Sequence, residues 1–321
     1  MGFKQAAHLP ESSTLESMAR TLEIADGIYQ ISTDNYRLNS GLIMGAEKAM
    51  VIDTGAGPRQ GAEILRAVRR VTDLPLVAVN THAHFDRFMG NAVFAADGVT
   101  DIWAHPRAAR AIESYGDRQR LYVEVLEPEM AHQQGPNTEL VVPTRFLPGD
   151  GTRPAFTRVE LGQRAVTLMY LGLAHTDGDV LVGVDDVLFA GDIIEQGSDP
   201  AFDDSYPELW VSTLRTLAGL DRYRIFVPGH GTPVESTFIE RMADTMEDAV
   251  QKIADSALTK VKGATTASMY QLPYSGGSTR ILLDRLTKLE AREAEGQGLS
   301  TVTFEGDTAS GLTGPITLGQ G

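Results

Sequence analysis

The chain has 321 residues, with 28 Lys+Arg against 43 Asp+Glu and a formal net charge of −15. That acidic surplus argues against a nucleic-acid partner, because gripping a phosphate backbone needs a basic face; 42% hydrophobic and 22% charged residues is the make-up of a globular chain. Cysteine is absent, which removes disulfides, thiolate metal ligands, iron-sulfur clusters and cysteine nucleophiles and leaves His, Asp and Glu for any metal chemistry.

Residues 1–20 read as a polar lead-in without the basic start and apolar core of an export signal, and no later segment of eighteen residues is free of charge. The expectation is a cytoplasmic protein with no membrane partner. Short β-branched runs follow at GIYQIST (27–33) and AMVIDTG (49–55), separated by the turn-like MGAEK. PRQGAEILRAVRR (58–70) sets Ile64, Leu65 and Val68 at helical spacing behind Pro58, and PLVAVNT (75–81) reads as a buried strand. Residues 116–155, rich in Pro, Gly and Glu with weak periodicity, read as an insertion or lid.

Further strands are expected at AVTLMYL (165–171), over 179–191 with a turn at Asp185-Asp186, and at RIFVPG (224–229), with helices near 207–219 and 235–257. TRILLDRLTKLEAREAE (279–295) is an amphipathic helix with Ile281, Leu282, Leu286 and Leu289 on one face, suited to covering a pocket or to forming a homodimer surface. The last 25 residues read as an extended tail. Strands alternating with helices give a mixed α/β class, divided into the lead-in 1–20, a main domain over 21–258 and a C-terminal extension over 259–321.

The chemistry gathers where apolar runs end. In NTHAHFDRFMGN (80–91), residues two apart in an extended loop point the same way, so His82 and His84 can face one cation and Asp86 can reach the same region. Imidazole and carboxylate are ligands for zinc, iron or manganese when no thiolate exists; alone, the His-x-His pattern also suits a polar loop. His175 in GLAHTDGD, Asp192 in FAGDII and His230 in VPGHG each follow another β-like run. Loops at the C-terminal ends of strands are where α/β folds collect functional groups, so the four segments can converge.

These landmarks, with the early strand ending in Asp53-Thr54-Gly55, occur in an order that resembles the metallo-β-lactamase-fold superfamily over roughly 21–258. The resemblance implies a four-layer αββα sandwich carrying a C-terminal helical extension and one or two divalent ions at the strand ends, zinc first, with iron or manganese as alternatives. It implies that His82, His84 and His175 hold the first ion, that Asp192 bridges, and that Asp86 and His230 hold the second. Many relatives carry a histidine after that Asp; this chain has Arg87, and without cysteine it cannot follow those that place a thiolate at the position of Asp192.

A divalent ion lowers the pKa of its water from about 15.7 to near 7, and Asp86 would orient the resulting hydroxide as a catalytic residue. The expected activity is hydrolysis of a small-molecule ester, lactone, amide, thioester or phosphoester. The alternative is a mononuclear iron persulfide dioxygenase. Arg87 is open to two roles, a fork for a substrate carboxylate or phosphate and a structural partner of a neighbouring Asp. His105 is expected in the core or as a helix cap, His8 and His132 in solvent, Asp53 as an orienter of a ligand histidine, and Asp177 and Asp179 in a turn. Phe202, Tyr206 and Trp210 wall a pocket or pack a helix start.

Overall fold

Period-two alternation explains how the chain forms layers. The computed structural model describes residues 19–149, 151–255 and 272–295; the expected tail after residue 295, the lead-in through residue 18 and His8 lie outside the described residues. One sheet runs in the order β1 (Arg20–Ala25), β2 (Ile28–Ser32), β3 (Asn39–Met44), β4 (Ala49–Ile52), β5 (Leu76–Val79), β6 (Ile102–Ala104) and β7 (Arg145–Phe146). The other runs backwards along the chain, from β12 (Ile225–His230) through β11 (Val187–Glu195), β10 (Leu181–Val184) and β9 (Ala165–Tyr170) to β8 (Ala155–Glu160).

Met50 and Ile52 of β4 and Val77 and Val79 of β5 point into one core with Val166, Leu168, Val182, Val184, Val187 and Phe189 of the second sheet. The intervening Ala49, Val51, Leu76 and Ala78 face the opposite way, against Ile64, Ala67 and Val68 of helix α1 (Pro58–Val71) and Val93 and Phe94 of α3 (Asn91–Ala96). Leu181, Leu188 and Ala190 likewise meet Trp210, Leu214 and Leu217 of α6 (Pro207–Ala218), Ile239, Ala243 and Met246 of α7 (Ser236–Asp255), and Leu282 and Leu286 of α8 (Gly276–Ala294). Strands covered on both faces are apolar throughout, which is why these runs are legible in the sequence. The result is the expected αββα sandwich with a C-terminal helix.

Among the strands that escape the sequence reading are β1, β3 and β8. β1 and β8 expose much of their length, and β3 begins with the buried polar pair Asn39 and Ser40, so none presents an apolar run. The 116–155 stretch is a packed insertion. It holds a 3-10 segment over Gly116–Val123, α5 (Pro128–His132) and β7, and follows α4 (Pro106–Tyr115). Its Glu127 is fully buried and accepts from Arg59 N at 2.9 Å and Gln60 N at 2.6 Å. The first turn of α1, which has no side-chain cap of its own, thus receives a carboxylate from elsewhere in the chain. Leu282 and Leu286 lie inside the outer core and Ile281 packs against it, so the stripe of α8 serves to seat the helix on the second sheet's outer layer.

Candidate metal centre

β4 and β5 are parallel neighbours, and β11 runs parallel to β12, so the segments after them reach a common edge. After β5 the chain is pinned through the Arg87 carbonyl, which accepts from Thr54 N at 2.9 Å, Thr54 Oγ1 at 3.1 Å and Asn80 Nδ2 at 2.8 Å. This fixes the short helix α2 (Phe85–Phe88), with His84 at its N-cap and Asp86 and Arg87 buried within it. Asp192 sits inside β11, not in a loop after it: that strand runs on to Glu195 through register slips flanking Gly191, whose φ of 53° suits a glycine. His230 is the last residue of β12.

His82, His84 and His175 converge. Their ring centroids are 4.6, 4.7 and 4.8 Å apart and their planes are nearly perpendicular, at 82–86°. Asp192 Oδ2 lies 3.4 Å from His82 Nε2 and 3.7 Å from His175 Nε2. One ligand atom from each of these four residues falls within a common 4.8 Å.

Hydrogen bonds assign the tautomers. Thr81 donates its hydroxyl to Asp53 Oδ2 at 2.8 Å, so its oxygen is left to accept from His82 Nδ1 at 3.1 Å, and the lone pair of His82 Nε2 turns inward. Asp53, held at φ 58° and also accepting from Thr81 N at 2.7 Å, therefore acts on a histidine through Thr81. His84 sends Nε2 to both oxygens of Asp204 at 3.2 Å, and its Nδ1 stands 3.1 Å from His175 Nε2. Burial pushes His82 down to about 4 and His175 well below its ordinary value, so both rings are neutral donors at pH 7. On His84 burial acts in the same direction, but the Asp204 carboxylate outweighs it and raises the group to about 9.

The second set differs. Asp86, Asp192 and His230 also offer ligand atoms within 4.8 Å, but the Arg87 guanidinium lies among them. Its Nη2 donates to Asp192 Oδ1, lies 3.2 Å from Asp86 Oδ2 and 2.7 Å from His230 Nε2, while Nη1 donates to the Gly229 carbonyl at 3.3 Å. Burial works against an ionised Asp192, yet Arg87 holds its carboxyl well below the usual range. Arg87 has no exposed surface, so of its two roles the geometry matches the structural one.

The first set fits a divalent ion: Nε2 of His82 is buried without a hydrogen-bond partner, and the donors are the imidazoles and carboxylate that such an ion takes. The second set, with a guanidinium already among its three donors, does not fit another cation.

The other residues fall as follows. His105 is buried, caps α4 by accepting from Arg107 N at 3.3 Å and stacks on Tyr170. Asp179 accepts from Thr176 N and Oγ1 in a turn. Phe202, Tyr206 and Trp210 are core residues at the start of α6; Trp210 donates to the Ile193 carbonyl at 2.9 Å and packs 5.3 Å from the His175 ring. His132 is about half exposed beside Glu124. A cavity of about 460 Å³ lined by Arg107, Tyr170, Leu173 and Thr213 adjoins the His175 segment, but none of the six candidate ligands lines it. Asp204 and Thr81 were missed from sequence. Their neighbours carry no spacing that marks them.

Comparison with known proteins follows the same outline. A family model described as the metallo-beta-lactamase superfamily matches residues 35–230. Acyl-coenzyme A thioesterase MBLAC2 of Bos taurus is 31% identical over 197 residues, covering 54% of this chain and 66% of the relative; the Homo sapiens protein of that name is 30% identical with the same coverage. The chain thus spans somewhat less than two thirds of the length of these curated relatives. Among solved structures, a metallo beta lactamase from Erythrobacter litoralis superposes with TM-score 0.57 at 21% identity, covering 72% of this chain and 96% of its own. One from Pontibacter korlensis gives 0.56 at 17%, covering 72% and 100%. At these identities the likeness concerns the fold.

Proposed function

We propose, from the premise that this chain belongs to the metallo-beta-lactamase superfamily, that it is a metal-dependent hydrolase of small acyl substrates, with a thioester the first class to test. The observation that carries the reading is the convergence of three imidazoles and one carboxylate on one point. The thioester preference is supported by the name of the mammalian relatives. The absence of a nucleic-acid partner belongs to the same reading, supported by the net charge of −15, and a cytoplasmic setting is proposed with it. Among the described residues no helix is long and apolar enough to cross a membrane.

In this reading His82, His84, His175 and Asp192 hold one ion, zinc by preference for a nitrogen-rich set, with iron or manganese as alternatives. When bound, a divalent ion supplies Lewis acidity toward a carbonyl oxygen and makes water acidic enough to attack at neutral pH. Asp86, whose Oδ2 is engaged by Arg87, presents its other oxygen as acceptor for the hydrogen bond of the attacking water, which sets the angle of attack. Arg87 contributes the fixed positive charge that a second ion would otherwise bring. Trp210 and Phe202 keep the back of His175 dry, which strengthens every electrostatic contact in front of it.

The test is elemental analysis of protein purified without added metal, with rates on thioester, lactone, β-lactam and phosphoester substrates before and after chelation and reloading. Metal-dependent thioester cleavage, lost in His175→Ala together with the ion, is expected. Retention of both metal and activity in His175→Ala would sink the assignment. The one-ion geometry around Arg87 also supports the persulfide dioxygenase reading. Bound iron with oxygen uptake on glutathione persulfide would select it, and zinc without oxygen uptake would remove it.

A further inference from the structure

Arg285 occupies the buried stripe of α8, three residues after Leu282, with 7% of its surface exposed. A guanidinium in that position loses hydration, and the groups that take its donors show what it is for. Nε donates to the Ser205 carbonyl and Nη2 to the Asp204 carbonyl at 3.0 Å, while the head lies 5.0 Å from the centre of the Tyr206 ring. All three contacts fall on the turn that enters α6. The same turn is tied to the His175 segment, since Tyr206 N donates to the Ala174 carbonyl at 2.8 Å, and it is closed internally by Ser205 Oγ on the Phe202 carbonyl at 3.1 Å.

Held from both sides, the turn projects the Asp204 carboxylate onto His84, both oxygens standing 3.2 Å from Nε2. His84 is the least enclosed of the three histidines, its side chain 26% exposed against 1% for His82 and none for His175. Packing therefore fixes it least, and an outside acceptor has most to add. In the neutral ring, the form that binds a metal, a carboxylate on Nε2 selects the tautomer whose lone pair is on Nδ1, the atom that faces His175, and makes that nitrogen a better donor.

We propose that Asp204 is the positioning residue of His84 and that Arg285 sets Asp204, so that the C-terminal helix is a working part of the metal centre. The proposal rests on His84 being a metal ligand. Affinity is measured in the full chain by chelator competition with zinc, and ligand geometry by the visible spectrum of the cobalt(II) form. Asp204→Ala is expected to weaken zinc binding 10- to 100-fold and to alter the cobalt spectrum. Asp204→Asn, which keeps an acceptor oxygen without the charge, falls between Ala and wild type. Arg285→Met is expected to weaken binding severalfold, and Leu282→Ala, which loosens the same helix and keeps both donors, is the packing control.

Wild-type affinity in Asp204→Ala overturns the proposal and leaves the metal reading intact. Failure of the unmodified protein to bind zinc, or binding unchanged in His84→Ala, removes the reading beneath it. Equal losses in Leu282→Ala and Arg285→Met would overturn the part assigned to Arg285.

Discussion

Replacement of Arg87 by Ala probes the assignment of the second set most directly. Arg87 is fully buried and faces Asp192, Asp86 at 3.2 Å and Asp53 at 3.6 Å. Asp53 keeps two bonds from Thr81 without it, so the loss falls on Asp86 and Asp192. Removing one partner of a buried ion pair costs about 3–5 kcal/mol, which for a chain of this size is a fall in Tm on the order of 10 °C. The vacated space is bounded by Asp86, Asp192 and His230, whose ligand atoms already lie within 4.8 Å. A second divalent ion should enter it and return about 2.7 kcal/mol at a hundredfold excess over its Kd. Thermal melts in chelator and across a zinc titration, read beside elemental analysis, test this: one ion per chain in the unmodified protein, two in Arg87→Ala, and a zinc-dependent Tm much steeper in the variant. Two ions per chain with Arg87 present, or a variant as stable as wild type in chelator, would refute the reasoning.

Other outcomes follow from the same structure. Burial holds His105 down at about 3, against an ordinary value of 6.5; the unfolded chain therefore takes up a proton below pH 6.5 that the folded chain refuses. Stability falls with acid through that window, by about 2 kcal/mol between pH 7 and pH 5, and His105→Asn should flatten that limb in denaturant titrations at the two pH values. Gly90→Ala drives a methyl into the carbonyl of Thr54, the residue whose N and Oγ1 hold the metal loop through the Arg87 carbonyl, so a drop in Tm together with weaker metal binding is expected, and an unchanged melt would mean that the loop can shift freely. Glu127→Ala leaves the first amides of α1 without their acceptors and should cost about 1–3 kcal/mol in chemical unfolding.

The strands and helices that were legible in the sequence are those whose solvation is decided locally. β4, β5, β10 and β11 are buried on both faces and, with the less enclosed β9, show as apolar runs, while α1 and α8 carry apolar residues at helical spacing. The zero in the cysteine count also spoke early, since it left imidazole and carboxylate as the metal-binding groups. The histidine landmarks and their order were enough to point to the family. What the sequence could not decide was how charges share space. Arg87, one residue from Asp86, turns inward to Asp192 and His230, more than a hundred positions away. Asp204 finds His84, and Arg285 finds Asp204, across three separate elements. Such contacts carry no periodicity. They form because burial removes water from charged groups and leaves each to find the nearest partner in three dimensions, and only the packed sandwich determines which partner that is.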